Sequence, residues 1–250
     1  MKVFYFTSTG NSLEVAKAIG NEIISIPQAL KSAEKSFSDD TIGFVFPCYA
    51  GCTPFIVEEF INKTSFKADY FFAVMTYGGY DCGGVTHFNK IARKNKIELS
   101  YLNSILMIDN YLNFFAMEKQ QEMLASKNVT QNLEKICADI KAKKCFIKKP
   151  GFIMNALSFI AAKLNLFAPG NKDKNFTVED HCNSCGVCAK VCPVNNIEVD
   201  SRPEFKHKCI VCYACTHNCP QNAIRLKGEK SKARYRNPGT SLEEIIAAND

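Results

Sequence analysis

The chain has 250 residues, of which 46% are hydrophobic and 22% charged, which is typical of a globular protein with one large domain or two unequal ones. Its longest apolar stretch, residues 152–168, is interrupted by Asn155, Lys163 and Asn165, so we expect no transmembrane segment. The net charge of +6 comes without a recognisable nucleic-acid-binding module, so we expect no nucleic-acid partner.

The N-terminus predicts a strand, a hydroxyl-rich loop and a helix. The run Val3–Phe6 is apolar and β-favouring, and it is too short for the core of a signal peptide, so we expect a cytoplasmic protein. The loop Thr7–Ser12 reads TSTGNS, and apolar residues then recur at helical spacing as far as Ile19. Helix N-termini and hydroxyls attract anions, so this pattern favours a phosphate-binding loop; a capped helix without a ligand is the alternative.

Strand-like and helical stretches alternate after this loop. This alternation predicts a parallel sheet with helices on both faces. The strand-like runs are Ile42–Phe46, Tyr70–Met75 and Ile105–Ile108, and the helical stretches are Thr53–Asn62 and Val85–Asn95.

In this half the chain resembles the flavodoxins, whose phosphate loop reads T-x-T-G-N-T where this chain has TSTGNS. The loop has no lysine and the chain has no dinucleotide fingerprint there, so it is neither a nucleotide-hydrolysing P-loop nor an NAD site. The resemblance implies an α/β fold with a five-stranded parallel sheet of order 2-1-3-4-5, which binds FMN beyond the carboxyl ends of its strands.

The resemblance also implies that two loops rich in tyrosine and glycine hold the flavin ring, since glycine permits close approach and tyrosine can stack. The chain has no tryptophan for stacking, so Tyr49 and either Tyr77 or Tyr80 must serve. The loop thiols of Cys48, Cys52 and Cys82 are either small loop residues or redox-active groups beside the flavin. The expected FMN-binding residues are Thr7, Ser8, Thr9, Gly10, Asn11, Ser12, Pro47, Tyr49, Ala50, Gly51, Thr76, Tyr77, Gly78, Gly79 and Gly83.

A basic connector follows. Residues 116–144 predict one long charged helix, and residues 152–167 predict an amphipathic helix that packs between domains or lies on a membrane surface. Residues 168–175 read as a linker. Ten lysines between residues 127 and 175, and a second basic cluster at residues 227–236, are either solvated faces or a docking surface for an acidic redox partner protein.

The C-terminal third contains two cysteine runs in register. Each run has the pattern C-x-x-C-x-x-C-x-x-x-C-P, and the second begins 27 residues after the first. Three cysteines at this spacing can wrap one cubane cluster from a short loop, and the cysteine before proline reaches the other cluster. The expected ligands are Cys182, Cys185, Cys188 and Cys219 for one [4Fe–4S] cluster, and Cys209, Cys212, Cys215 and Cys192 for the other.

Zinc is the alternative occupant, but structural zinc sites use pairs of Cys-x-x-Cys or Cys/His sets instead. His181, His207 and His217 lie nearby in sequence, and we expect them to form hydrogen bonds and not to be ligands. The segment resembles two-cluster bacterial ferredoxins, which have a small α+β fold. The order of the two halves resembles a family of flavodoxin–ferredoxin fusion proteins of anaerobic bacteria.

This fusion resemblance implies electron transfer between FMN and two [4Fe–4S] clusters, linking two-electron and one-electron redox partners. The alternatives are a flavin-dependent reductase of a small molecule, and a ferredoxin-like carrier whose sheet domain serves only for docking. The expected divisions are residues 1–148 (flavodoxin-like), 149–175 (connector and linker), 176–228 (two clusters) and 229–250, a tail whose short helix opens with a capping box at Thr240–Glu244.

Overall fold

The computed structural model describes residues 1–79, 83–149 and 169–250. The amphipathic helix expected at residues 152–167, and Tyr80 and Cys82, lie outside them. The strands are β1 (Lys2–Tyr5), β2 (Glu22–Ser25), β3 (Ser36–Ser38), β4 (Thr41–Pro47), β5 (Ser65–Lys67), β6 (Tyr70–Tyr77), β7 (Tyr101–Leu106), β8 (Phe146–Ile147), β9 (Phe176–Val178), β10 (Ile197–Val199), β11 (Pro203–Phe205) and β12 (Ile224–Leu226).

The described helices surround a central sheet and continue through the cysteine runs. The α-helices are α1 (Asn11–Ile19), α2 (Ile26–Lys31), α3 (Phe55–Lys63), α4 (Gly84–Lys94), α5 (Met117–Glu122), α6 (Val129–Lys141), α7 (Val187–Lys190), α8 (Ala214–His217) and α9 (Leu242–Asn249). Short 3₁₀ helices cover Ala125–Lys127 and Asn171–Asn175.

The central sheet is parallel, as predicted, but its strand count and order differ from those expected. It has six strands in the order β2-β1-β4-β6-β7-β8. The sixth, β8, pairs two residues with Tyr101 and Leu102, which is too short to leave a period-2 pattern in the sequence. Two further three-residue strands, β3 and β5, form a separate parallel pair. The strand expected at Ile105–Ile108 begins earlier, at Tyr101, so Ile108 lies beyond its end.

Alternate residues of the strands supply two cores, one on each face of the sheet. On one face Phe4, Phe44 and Met75 pack with α2, α3 and α4. On the other face Val3 and Val45 pack with α1, α6 and the end of α9. Helices therefore cover both faces, and the loops after β1, β4, β6 and β7 gather at one edge, where the parallel strands end.

The single long helix expected at residues 116–144 is wrong. The structure has α5, a 3₁₀ turn and then α6, and the break lies at Asn128, whose φ is 49°. Lys127 is also not part of a basic face, because its side chain is 5% exposed and its ammonium donates to the carbonyls of Gly78 (2.8 Å) and Met107 (2.6 Å). A helical pattern cannot show this break, since burial of Lys127 by the sheet edge determines it.

The segment expected to be a linker, residues 168–175, is folded over its described part, residues 169–175. The backbone of Gly170 pairs with that of Cys209, and Asp173 is 1% exposed. Asp173 accepts hydrogen bonds from Asn196 (3.0 Å) and pairs with His207 (2.7 Å). The polar composition of residues 169–175 is typical of a linker. The sequence pattern does not show the partners of this segment, because they lie more than 20 residues away.

The last 20 residues cover the N-terminal loop of the sheet. The capping box is confirmed, because the Ser241 side chain accepts the Glu244 amide and the Ser241 amide donates to the Glu244 carboxylate. Ala248 of α9 belongs to the second core, and Ser25 hydrogen-bonds its carbonyl. No helix among the described residues has the length and apolarity needed to span a membrane.

Candidate metal centre and cofactor cavity

The two cysteine runs share a backbone conformation as well as a spacing. Positive φ angles occur at matched positions: Ser184 (55°) with Val211 (58°), and Gly186 (77°) with Tyr213 (59°). Such angles turn the chain sharply, and they are costly for a valine or tyrosine. Each run then continues into a single helical turn, α7 or α8. Both runs therefore wrap around a centre in the same way.

The first run surrounds a small cavity of about 10 Å³, which we call the outer cavity. It is lined by Cys182, Cys185 and Cys188, and also by Cys219 from the second run. Cys185 is exposed and Cys188 is buried. Burial raises the pKa of the Cys188 thiol to about 12, and the charges of the other three thiolates add to the rise. The four cysteines expected for one cluster thus face one space.

The other four cysteines form what we call the inner set, which lies against the sheet. Cys192, the last cysteine of the first run, is close enough to raise the pKa of Cys209, Cys212 and Cys215 by its charge, although burial is the larger cause for each. Ile210, beside Cys209, belongs to the core on one face of the sheet. The structure therefore brings Cys192 to the second run, in the crossed arrangement expected from the spacing.

Backbone amides point at the sulfurs of both centres. Asn196 donates to Cys192 Sγ and Ala223 donates to Cys219 Sγ, each at 3.3 Å, and Val211 donates to Cys209 Sγ at 3.3 Å. Hydrogen bonds of this kind stabilise thiolates that hold iron–sulfur clusters. Four cysteines line the outer cavity, and the charge of Cys192 acts on the other three cysteines of the inner set, so two sets of four thiolates fit two [4Fe–4S] clusters.

The nearby histidines form hydrogen bonds, as expected. His217 is buried, and its two ring nitrogens meet the Asn110 carbonyl (2.8 Å) and the Tyr235 amide (3.1 Å). Burial lowers the pKa of His217 to about 4, so its ring is neutral at pH 7. His181 meets the Gln221 carbonyl at 3.1 Å. The contact between His217 and Asn110 joins the cluster half to the loop after β7.

The hydroxyl-rich loop is buried at the sheet edge. Gly10 has φ of 99°, and a Cβ there would stand 2.8 Å from Thr240, so glycine is required both by conformation and by the covering C-terminal segment. Thr7 accepts the Gly10 amide at 3.0 Å, which makes the loop turn. Among the described residues, no side chain caps the N-terminus of α1, so its first amides remain available for an anion.

Two adjoining cavities run from this loop to the inner set. The first, about 40 Å³, is polar and includes Thr7, Ser12 and Thr76 in its wall. The second, about 320 Å³, is mainly apolar and reaches Cys212. Six residues line both cavities: Cys48, Tyr49, Tyr77, Gly78, Asp109 and Asn110. The cavities are therefore neighbours on the two sides of these six residues, one beside the phosphate-type loop and the other beside a cysteine of the inner set.

The pair of cavities has a polar end and an aromatic end, as a phosphate attached to a flat ring requires. Tyr49 stands between the two ends: burial raises the pKa of its hydroxyl, Cys212 adds to the rise, and a hydrogen bond with Ser8 opposes it. Gly78 is needed for its small size, because a Cβ would stand 2.2 Å from Asp109 Cα. The residues present therefore fit FMN.

Most of the residues expected to bind FMN line these cavities. The lining set includes Thr7, Ser8, Thr9, Asn11, Ser12, Pro47, Tyr49, Ala50, Thr76, Tyr77 and Gly78. Gly10, Gly51, Gly79 and Gly83 are not in either wall as the described residues define it. The FMN-binding role of all these residues stays a prediction.

Sequence reasoning missed the aromatic wall of the second cavity. The ring of Tyr111 stacks on that of Phe114 with 5.2 Å between ring centroids, and its centroid lies 5.5 Å from that of Tyr213 in the second cysteine run. Phe115 and Val211 also line this wall. Phe114 is 70% exposed. The available signal was the density of aromatic residues directly after a strand at the sheet edge, but Tyr213 reaches the cavity only through the tertiary fold.

Comparison with known proteins identifies the C-terminal part. Residues 162–238 match the family model of the 4Fe-4S dicluster domain, and this range contains both cysteine runs. The chain is 33% identical over 84 residues to NADH-quinone oxidoreductase subunit I of Pelobacter propionicus, covering 28% of this chain and 43% of that one. It thus spans less than half the length of this relative. Residues 162–238 are therefore a ferredoxin-like iron–sulfur domain of the electron-transfer type.

Two solved structures show weaker similarity. One, described as a flavoprotein of Bacteroides uniformis, is 16% identical with a TM-score of 0.35, and the match covers 48% of this chain and 94% of that one. The other is the Trp repressor binding protein of Bacillus subtilis, 13% identical with a TM-score of 0.30, covering 44% and 83% respectively.

Proposed function

We propose that the protein passes electrons between FMN held at the sheet edge and two [4Fe–4S] clusters, and so links a two-electron redox partner to a one-electron partner. The observation that supports this proposal is the pair of adjoining cavities that share six wall residues, one lined by Ser12 and the other by Cys212. In this proposal residues 1–148 bind the flavin and residues 176–228 hold the clusters. The protein is expected in the cytoplasm, with redox proteins as partners.

The proposed cofactors supply the redox chemistry: FMN exchanges two electrons and each cluster exchanges one. The chain's residues bind and orient them. The hydroxyls of Ser12 and Thr76 are hydrogen-bonded to each other at 2.9 Å, which leaves one hydroxyl proton of the pair to donate to the phosphate. Tyr77, Tyr111 and Tyr213 line the apolar cavity and exclude water from the space that reaches the inner set.

The order of the centres follows from burial. The inner set adjoins the cavity through Cys212, whereas the outer cavity includes the exposed Cys185. We therefore place the inner cluster next to the flavin and the outer cluster next to the external one-electron partner. Crossing ligands Cys192 and Cys219 hold the two centres side by side.

The test is anaerobic purification followed by measurement of iron, sulfide and flavin. We expect about eight irons and one FMN per chain. Ser12→Ala should raise the FMN dissociation constant about tenfold, because a hydrogen bond to a charged group contributes roughly 1.5 kcal/mol. Ser126→Ala, at an exposed hydroxyl of the 3₁₀ turn, is the matched control and should leave it unchanged.

Protein with two clusters that neither contains nor takes up FMN would reject this function in favour of a ferredoxin-like carrier. A small-molecule reductase is the second candidate, favoured by the open mouth of the apolar cavity and by the exposed ring of Phe114. Sustained turnover of a small molecule with a reductant, but without any protein acceptor, would establish that candidate.

A further inference from the structure

We propose that the cluster half and the C-terminal segment hold the phosphate loop in its ligand-binding conformation, with Asn218 and Asn249 as positioning residues. This inference rests on the proposed FMN site and extends it. Neither asparagine is in the wall of the two cavities as the described residues define them. Their effect on the ligand would therefore act entirely through the loop.

Each of the first three loop carbonyls is hydrogen-bonded by a residue more than 200 positions away. Asn249 Nδ2 donates to the Thr7 carbonyl at 3.3 Å, and Asn218 Nδ2 donates to the Ser8 carbonyl at 2.9 Å. The Asn237 amide donates to the Thr9 carbonyl at 2.7 Å. The next carbonyl, that of Gly10, is taken by the first turn of α1 through the Glu14 amide at 2.9 Å.

These bonds fix which way the loop amides point. In a trans peptide the carbonyl and the following N–H point in opposite directions. Donors outside the loop hold the carbonyls of Thr7 and Ser8 away from the cavity, so the amides of Ser8 and Thr9 are turned towards it. Amides directed in this way, together with the uncapped start of α1, form a concave site for an anion.

The loop side chains are held by the same segment. Asn11 Oδ1 accepts hydrogen bonds from the Tyr235 hydroxyl (2.9 Å) and from Asn237 Nδ2 (3.1 Å), and its own amide donates to the Ile108 carbonyl (3.1 Å). Asn110 Nδ2 donates to Thr9 Oγ1 at 2.8 Å. The loop therefore has partners on the C-terminal segment and on the loop after β7.

The surroundings of the two buried asparagines indicate that they position the loop and do not add to the stability of the fold. Asn218 is 2% exposed and Asn249 is fully buried. The Oδ1 of each lacks a hydrogen-bond partner among the described residues, which is a cost in folding free energy. Each Nδ2 donates both to the loop and to its own helix, so the amide is held by two carbonyls. A buried apolar residue would avoid the cost but could not hold the loop carbonyls.

The experiment uses protein loaded with both clusters and compares Asn218→Ala and Asn249→Ala with a control. Asn132→Ala is the matched control, since its side chain donates to the Lys127 carbonyl at 3.2 Å, away from the loop. Binding of FMN and of riboflavin is measured by flavin fluorescence. Riboflavin lacks the phosphate, so a change in the loop should affect FMN alone.

We expect each loop variant to weaken FMN binding about tenfold, to leave riboflavin binding unchanged and to keep the full iron content. A general loss of structure would weaken both ligands equally, and that outcome, or unchanged FMN binding, overturns the proposal. Asn249 lies far in sequence from the cysteines, so its variant remains informative if Asn218→Ala, next to Cys219, disturbs the cluster.

A second readout does not depend on flavin. Amide hydrogen exchange of residues 7–12 is measured in cluster-loaded protein without ligand. We expect faster exchange in both asparagine variants and no change in Asn132→Ala. If wild-type protein binds no FMN, the proposed function fails, but this measurement still decides whether the C-terminal side holds the loop. Equal exchange rates in the wild type and the three asparagine variants would overturn the proposal that it does.

Discussion

The inner set and the outer cavity carry the same ligand pattern in different surroundings. The outer cavity opens to solvent at Cys185, and its matched backbone positions are Ser184 and Gly186. The corresponding positions of the second run are Val211 and Tyr213, which keep positive φ angles despite the strain and line the aromatic cavity. The repeat therefore shares its chemistry, while its neighbours make one centre internal and the other external.

This difference has a consequence for redox behaviour. The potential of an iron–sulfur cluster responds to solvent exposure and to hydrogen bonds on its sulfurs. Both centres receive an amide hydrogen bond on the crossing cysteine at 3.3 Å, and the inner set receives one more, from the Val211 amide to Cys209 Sγ at 3.3 Å. Exposure differs, and we expect it to separate the two clusters in potential and in reactivity.

The largest expected effect comes from the crossing ligands. Cys192→Ala should remove the cluster of Cys209, Cys212 and Cys215, and so about four of eight irons, because three thiolates are left for a centre that needs four. Cys219→Ala should remove the outer cluster instead. Iron analysis with electron paramagnetic resonance distinguishes the two, and Cys137→Ala, at a cysteine on α6, is the control.

Loss of the outer cluster in Cys192→Ala, with the inner one intact, would show that the assignment is reversed. It would also remove the reason for placing the inner cluster beside the flavin cavity.

A smaller effect is expected where burial distinguishes two ion pairs. Glu229 bridges Arg225 and Arg234, all about 10% exposed, with the Arg234 contact at 2.9 Å. Glu229→Gln leaves two buried guanidinium groups without a counterion and should lower the free energy of unfolding by about 3 kcal/mol. Asp180→Asn removes a fully exposed partner of Arg202 and should leave the free energy of unfolding unchanged.

Chemical denaturation of cluster-loaded protein measures both variants. Equal effects of Glu229→Gln and Asp180→Asn on the free energy of unfolding would show that burial does not determine how much these ion pairs stabilise the protein. That result would also weaken the argument that burial distinguishes the two sets of thiolates.

The smallest of these effects is kinetic. The outer cluster should be destroyed by a soluble oxidant such as ferricyanide roughly tenfold faster than the inner one, because Cys185 is exposed while the inner set has one buried and three half-buried cysteines. The two rates are followed by absorbance, with Cys192→Ala and Cys219→Ala protein used to assign them. A single rate for both clusters, or faster loss of the inner one, would contradict the distinction between external and internal centres.

The errors in the predicted architecture share one cause. The break at Asn128, the folded segment at residues 169–175 and the strand β8 all depend on contacts with distant parts of the chain. A local sequence pattern predicts a helix, a linker or a loop from neighbouring residues alone, so it does not include such contacts. The burial of Lys127 and Asp173 could not be predicted from the sequence for the same reason, because the hydrogen-bond partners of both charged groups lie on other elements.

The sequence by itself determined the features that depend on spacing: the two cysteine runs, their crossed grouping, the hydroxyl-rich loop and the alternation that produces a parallel sheet. These features are local because ligand geometry and strand or helix periods repeat within a few residues. Only the tertiary structure decided which cysteine run lies against the sheet, since Ile210 and Tyr213 find their partners in the other half of the molecule. It also decided that residues near the C-terminus hold the loop at Thr7–Ser12, because hydrogen bonds between segments over 200 residues apart leave no periodic signal.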